Sequence, residues 1–153
     1  MSELKARLRT DLNAAMKARD EVRLATLRMA LTAVTTEEVA GKQSRKLTDD
    51  DVTAILVREA KRRREAAEAF DAARRPELAD RERAEQAVLD EYLPSQLNDT
   101  ELAEVVRAAV AQAGATGAQQ MGLVMKAAVP VVAGRADGKR LSEEVRRQLG
   151  LPR

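Results

Sequence analysis

The sequence predicts an all-α protein with an N-terminal four-helix unit followed by a small three-helix tail. Ala, Leu, Arg, Glu and Lys dominate its 153 residues, which is the composition of a helical protein. Apolar residues recur three and four apart through long segments, and no segment alternates apolar and polar residues convincingly. The few prolines and glycines fall mostly near predicted helix ends. We therefore expect an N-terminal helical domain over residues 1–93 and a tail domain over residues 94–153.

The N-terminal domain contains four predicted helices with recognisable start signals. Asp20 can cap the second helix, and Thr48 with Asp51 forms a capping-box variant for the third. Pro76 is well placed as the first residue of the fourth. The predicted ranges are about 3–19, 21–40, 49–73 and 76–92.

A short link joins the two predicted domains. Pro94 stops the fourth helix, and apolar residues flank the segment that follows. We expect Leu93 and Leu97 to dock this link, and we treat Pro94 as a hinge candidate.

Three further helices are predicted in the tail. Asn98 with Glu101 starts the fifth, which ends at Gly114. Thr116 with Gln119 predicts a start near Gly117 for the sixth, which contains a glycine and a proline. The glycine, Gly122, suggests close approach of another backbone, and Pro130 predicts a kink or a loosened last turn. Gly134 is placed to stop this helix, and the seventh begins at Asp137 or Ser142 and ends near Leu149.

Composition excludes several kinds of chemistry. The chain has no Cys and no His, so thiol catalysis, disulfides, an imidazole base and a Cys/His metal site are excluded. Its adjacent carboxylates diverge along helices, where capping and solubility explain them. We therefore expect no catalytic residues, metal or cofactor. The charged N-terminus predicts no signal peptide, no apolar run approaches the length of a membrane span, and the lack of disulfides favours a cytoplasmic protein.

The turn after the sixth helix is the strongest candidate site. Residues 121–153 carry seven basic and three acidic side chains, a net charge of +4. Glycines there let a ligand approach the backbone, and nearby cations and the first amides of the last helix suit phosphate. The alternative interpretation is structural: Gly134 stops one helix, Asp137 caps the next, and the basic residues form a solvated surface. The candidate nucleic-acid-binding residues are Lys126, Gly134, Arg135, Gly138, Lys139 and Arg140, and Arg146 and Arg147 extend the patch.

Two other charged groups favour structural interpretations. The run Arg58, Lys61, Arg62, Arg63 and Arg64 is expected to be a solvated helix face, with a phosphate track as the alternative. The second group, Arg23, Arg28, Glu37 and Glu38, is expected to form partly buried salt bridges within the helical bundle.

Several motifs, in order, resemble a known family. They are Leu27-Arg28-Met29 with Glu37-Glu38, Arg58-Glu59 with Lys61-Arg62-Arg63, Glu91-Tyr92-Leu93-Pro94-Ser95-Gln96-Leu97, and Gly134-Arg135-Ala136-Asp137-Gly138-Lys139. The chain resembles the YqeY proteins over nearly its whole length. Its tail resembles the domain that these proteins share with the B subunit (GatB) of bacterial tRNA-dependent amidotransferases.

The resemblance implies a non-catalytic accessory protein that binds tRNA or serves tRNA metabolism. The alternative is a helical interaction module recruited to a tRNA synthetase or an amidotransferase. A family label of glutamine-dependent amidotransferase, a carbon–nitrogen ligase with glutamine as amido-N-donor, is also implied. The sequence disfavours that activity because it has no Cys, no nucleotide-binding loop and no Ser-Lys amidase signature. With one Phe and one Tyr, any RNA binding should rest on shape and phosphate.

Overall fold

The computed structural model describes residues 2–151, and all of the regular secondary structure in that range is helical. The predicted all-α fold class is therefore confirmed. Contacts between Cα atoms divide the chain into two compact units, Met1–Leu93 and Pro94–Arg153. Each unit has its own hydrophobic core.

Within residues 2–93, unit 1 contains four helices whose ends match the sequence signals to within two residues. Asp20 caps the second helix, and Thr48 and Asp51 form the expected capping box on the third. The third is 24 residues long, which corresponds to about 36 Å. The helices are α1 (Glu3–Ala18), α2 (Glu21–Glu38), α3 (Asp49–Ala72) and α4 (Pro76–Asp90).

The core of unit 1 is aliphatic apart from Tyr92. The Tyr92 hydroxyl donates a 2.5 Å hydrogen bond to the Asp11 carboxylate, and the Arg7 guanidinium lies 4.5 Å from the ring centroid. These contacts tie the end of α4 to α1. The largest fully buried side chains around this core are Leu8, Leu27, Leu56, Leu89, Val34 and Val52.

The basic run of α3 is not a uniformly solvated face. Arg58, Lys61 and Arg62 are exposed as expected, but Arg63 is only 4% exposed. Its Nη1 lies 2.9 Å from the Glu59 carboxylate, and its Nε lies 3.8 Å from the Glu85 carboxylate on α4. The expectation is wrong for Arg63 because its buried guanidinium lies between the carboxylate of Glu59 on its own helix and that of Glu85 on α4.

Ion pairs support the predicted salt bridges for three of the four residues. Glu38 accepts from Lys5 at 2.8 Å, with both side chains about four-fifths buried. Arg23 on α2 forms a bidentate pair with Glu91, just after α4, at 2.6 and 3.1 Å. Glu37 lies in looser pairs of 3.5–4.0 Å, and Arg28 is exposed. The expectation of partial burial is therefore wrong for Arg28.

Over its described part, residues 94–151, unit 2 contains three α-helices and a short 3-10 turn. Asn98 and Glu101 form the predicted capping box on the first of these helices, and Gly114 ends it in the left-handed conformation. The elements are α5 (Asp99–Ala113), the 3-10 turn Ala118–Gln120, α6 (Met121–Val132) and α7 (Gly138–Gln148). None of the helices between residues 2 and 151 is both long and apolar enough to cross a membrane.

The start of α6 differs from the prediction. The backbone amides of Thr116 and Gly117 donate to Oε1 of Gln120, at 2.7 and 3.2 Å. Gln120, not Gln119, therefore closes the cap. Because the chain first makes the 3-10 turn, α6 begins at Met121, four residues later than expected.

Candidate nucleic-acid interface

The turn between α6 and α7 reverses the chain with two consecutive left-handed residues. Ala133 has φ 47° and ψ 46°, and Gly134 has φ 80°. The predicted stop at Gly134 is thus preceded by Ala133, which is itself the C-cap of α6. An alanine rarely adopts positive φ, so the sequence gives no sign of this conformation. The Arg135 amide closes the turn on the Val132 carbonyl oxygen at 2.9 Å.

The link segment Ser95–Leu97 is hydrogen-bonded alongside this turn. The Leu97 amide donates to the Arg135 carbonyl oxygen at 2.7 Å, and Gln96 Nε2 donates to the Gly134 carbonyl oxygen at 3.3 Å. In the other direction, Arg135 Nε donates to the Ser95 carbonyl oxygen at 2.8 Å. Leu97 is buried in the core of unit 2, which confirms its predicted docking. Three hydrogen bonds and one buried side chain therefore fix the shape of the turn.

Asp137 starts α7 by accepting a hydrogen bond from the Lys139 amide at 3.2 Å. Its backbone is extended, as an N-cap requires, and Gly138 is the first residue of the helix. This carboxylate occupies the helix N-terminus that the sequence offered as an anion site. A phosphate at this turn would therefore bind mainly to side chains, since the first backbone amides of α7 already face the negative charge of the carboxylate.

The three cations of the turn have different environments. Arg135 is half-buried through its bond to Ser95, whereas Lys139 is exposed. Arg140 pairs with Asp99 at 3.0 Å, and the Asp99 side chain is fully exposed. An exposed pair contributes at most about 1 kcal/mol, so Arg140 can exchange its carboxylate for a phosphate at little cost.

Lys126 lies in a different setting from these three cations. It is exposed on α6 and is the only charged residue of that helix. The side chains one helical turn before and after it, Leu123 and Val129, are apolar and more than half exposed. The sequence grouped Lys126 with the turn, but its immediate surroundings are those of an apolar surface.

The arginines on α7 contribute unequally to a basic surface. Arg146 is exposed, whereas Arg147 is hydrogen-bonded to the Glu144 carboxylate. That hydrogen bond raises the pKa of Arg147. The groove between α5 and α7 is lined by four carboxylates along with Arg140 and Arg147. An extension of the basic patch by Arg147 would therefore have to compete with this acidic lining, whose carboxylates are Asp99, Glu104, Glu143 and Glu144.

These features define a small all-α protein with a fixed, basic turn in its C-terminal unit. No curated protein matches this chain. The model of one family, described as Yqey-like protein, matches residues 5–149. Since the match spans nearly the whole sequence, the chain belongs to the YqeY family.

Proposed function

We propose that this protein is a non-catalytic tRNA-binding accessory protein, and that its C-terminal turn docks on the tRNA backbone. The observation that carries the proposal is the fixed α6–α7 turn, which presents Lys139 and Arg140 beside Arg135. A turn fixed in advance loses little entropy on binding, so modest charge gives useful affinity. Arginine and lysine side chains bind phosphate through their guanidinium and ammonium groups.

Charge distribution supports an anionic partner for the tail in particular. The net charge of the whole chain is +2, whereas residues 121–153 carry +4. Residues 1–94 contain 19 basic and 19 acidic side chains. Because these charges balance, that part of the chain has no net charge that would attract an anionic partner. The choice of tRNA over other nucleic acids rests on the likeness of the tail motif to the amidotransferase B subunit.

The proposal includes no catalytic step. The sequence lacks Cys and His, which act as nucleophiles or bases in many acyl-transfer enzymes. Glutamine-dependent amide transfer by this chain alone is therefore not part of the proposal. Turnover of mischarged tRNA by the isolated protein would contradict it.

A titration of the full chain against bulk tRNA at several salt concentrations tests the proposal. With three phosphate contacts, log affinity should fall with log salt with a slope of about −2 to −3. Reversing charge with Lys139→Glu and Arg140→Glu should abolish most of this binding. A matched control is Arg107→Glu, an exposed arginine on α5 of the same unit. Equal binding by the reversed protein and the control would contradict the proposal.

A further inference from the structure

Helix α6 is apolar around nearly all of its circumference, with Lys126 as its one charged residue, although one side of it faces solvent. Its inward residues Val124, Ala128 and Val132 are buried in the core of unit 2. Its outward side chains Leu123, Val129 and Val131 are 55%, 53% and 62% exposed. Helices that are hydrophobic all round are normally buried on all sides. Six large hydrophobic residues are strongly exposed within residues 2–151, and these three share one helix of 12 residues.

The exposed face of α6 has a defined pattern. Leu123, Lys126 and Pro130 follow at intervals of three and four residues, so they form a line along the helix. Val129 and Val131 extend the surface on either side of Pro130. The result is an apolar strip about two and a half turns long with one positive charge near its middle. We call this set, Leu123, Lys126, Val129, Pro130 and Val131, the α6 strip.

Gly122 lies next to the strip, and neither its backbone conformation nor the described atoms around it require a glycine there. Its φ is not in the left-handed region. Apart from neighbouring backbone, no described atom lies within 4 Å of the position of a Cβ. The close backbone contact expected from the sequence is therefore absent within the described chain. Glycine costs about 1 kcal/mol relative to alanine in a helix, and the open space at Gly122 leaves room for a molecule outside the chain to approach its backbone.

We infer that the α6 strip is a docking site for an amphipathic helix of a partner protein that carries a carboxylate opposite Lys126. Apolar side chains one turn before and after that carboxylate would cover Leu123 and Val129. Lys126, the one charged residue of α6, supplies the positive charge that this carboxylate would neutralise at the centre of the strip. This surface is distinct from the α6–α7 turn, so the inference does not depend on the proposed function.

A second copy of this chain fits the strip poorly. In a twofold-symmetric dimer, each residue on the axis faces its own copy. Lys126 lies near the centre of the strip, so self-association would bring two ammonium groups together at an apolar interface. RNA fits poorly as well, since four of the five strip residues are aliphatic side chains with no hydrogen-bonding groups. A partner helix with a carboxylate satisfies both the charge and the apolar area.

Site-specific photo-crosslinking of the full chain tests this inference. p-Benzoylphenylalanine replaces Leu123 in one protein and Arg107, exposed on α5, in a control. We expect the Leu123 probe alone to give an adduct with one protein, at a helical segment that contains Asp or Glu between apolar residues. An adduct with RNA, with a second copy or with the chain itself would overturn the inference, and so would no adduct.

A charge swap decides whether the adduct reflects the proposed contact. The crosslinked segment is synthesised as a peptide, and its affinity for the full chain is measured by fluorescence anisotropy. Lys126→Glu should weaken binding about tenfold or more, and replacing the peptide's carboxylate by Lys should restore it. Arg107→Glu, a matched charge reversal at an exposed position on α5, should change the affinity less than twofold. Equal binding by wild type and Lys126→Glu, or no rescue by the swapped peptide, would overturn the inference.

Discussion

Arg135 donates a hydrogen bond from Nε to the Ser95 carbonyl oxygen at 2.8 Å, across 40 positions of sequence. The same arginine accepts from the Leu97 amide through its own carbonyl oxygen. Arg135 therefore shapes the turn as well as contributing charge to it. Lys139, four residues later, is exposed and offers charge alone.

This difference predicts separate effects of two alanine substitutions on stability. Arg135→Ala should lower the free energy of unfolding by about 0.5–1.5 kcal/mol, since it removes the hydrogen bond from its side chain to the Ser95 carbonyl oxygen. Lys139→Ala should change it by less than about 0.5 kcal/mol. Urea denaturation followed by circular dichroism measures both. Equal stabilities would show that the bond to Ser95 contributes nothing to the turn.

Two glycines of the tail should respond in opposite ways to alanine. Gly122→Ala should raise the free energy of unfolding by about 0.5–1 kcal/mol, because the helix gains a better former and the Cβ meets open space. Gly134→Ala should lower it by about 1 kcal/mol, because φ is 80° at that position. Thermal denaturation of the two variants checks both signs. A loss of stability in Gly122→Ala would mean that the helix itself requires this glycine.

Burial of Arg63 predicts a large cost when it is truncated. Arg63→Ala would leave the partly buried Glu59 and Glu85 carboxylates without their shared partner. We expect a loss of roughly 3–5 kcal/mol in the free energy of unfolding. Arg62→Ala, at an adjacent side chain that is 77% exposed, should cost no more than about 0.5 kcal/mol. Comparable losses in the two variants, measured by urea denaturation, would contradict this assignment.

Tyr92 should make stability depend on alkaline pH. Burial, followed by the hydrogen bond to Asp11 and the charge of that carboxylate, raises the pKa of the Tyr92 phenol above its ordinary 10.0. The folded chain thus holds this proton more tightly than the unfolded chain. The resulting stability is fully present below pH 10 and is lost as pH rises from there toward the folded pKa.

Comparison with Tyr92→Phe isolates this effect. The wild-type free energy of unfolding should fall more steeply above pH 10 than that of the variant, by up to about 1.4 kcal/mol per pH unit. At neutral pH the variant should be less stable by about 1.5–3 kcal/mol, because it lacks the bond to the charged Asp11. Parallel pH profiles for the two proteins would contradict the raised pKa.

Local sequence signals predicted the helices well because they act through neighbouring residues. Thr48 with Asp51 and Asn98 with Glu101 are complete caps within four residues, and the structure contains both capping boxes. The start of α6 was mispredicted because Thr116 has two glutamines within reach. The choice of Gln120 depends on the 3-10 turn, which no short motif encodes.

Contacts between distant residues explain what the sequence did not predict, both in the bundle and at the site. In the sequence, Arg63 is one of several neighbouring basic residues, and only the packing of α4 places Glu85 beside it. Arg135 and Arg140 were recognisable as cations, but their bonds to Ser95 and Asp99 span about forty residues. A cap at Asp137 was the alternative that the sequence also allowed for this turn. The structure contains that cap, since the Asp137 carboxylate accepts a hydrogen bond from the Lys139 amide.

The salt dependence of tRNA binding by Lys139→Ala tests the central claim most directly. Lys139 is exposed, so its removal should leave the fold intact and delete one phosphate contact. The slope of log affinity against log salt should become shallower by about 1 relative to wild type, with weaker binding to every tRNA tested. Wild-type slope and affinity in this variant would contradict phosphate docking by the α6–α7 turn.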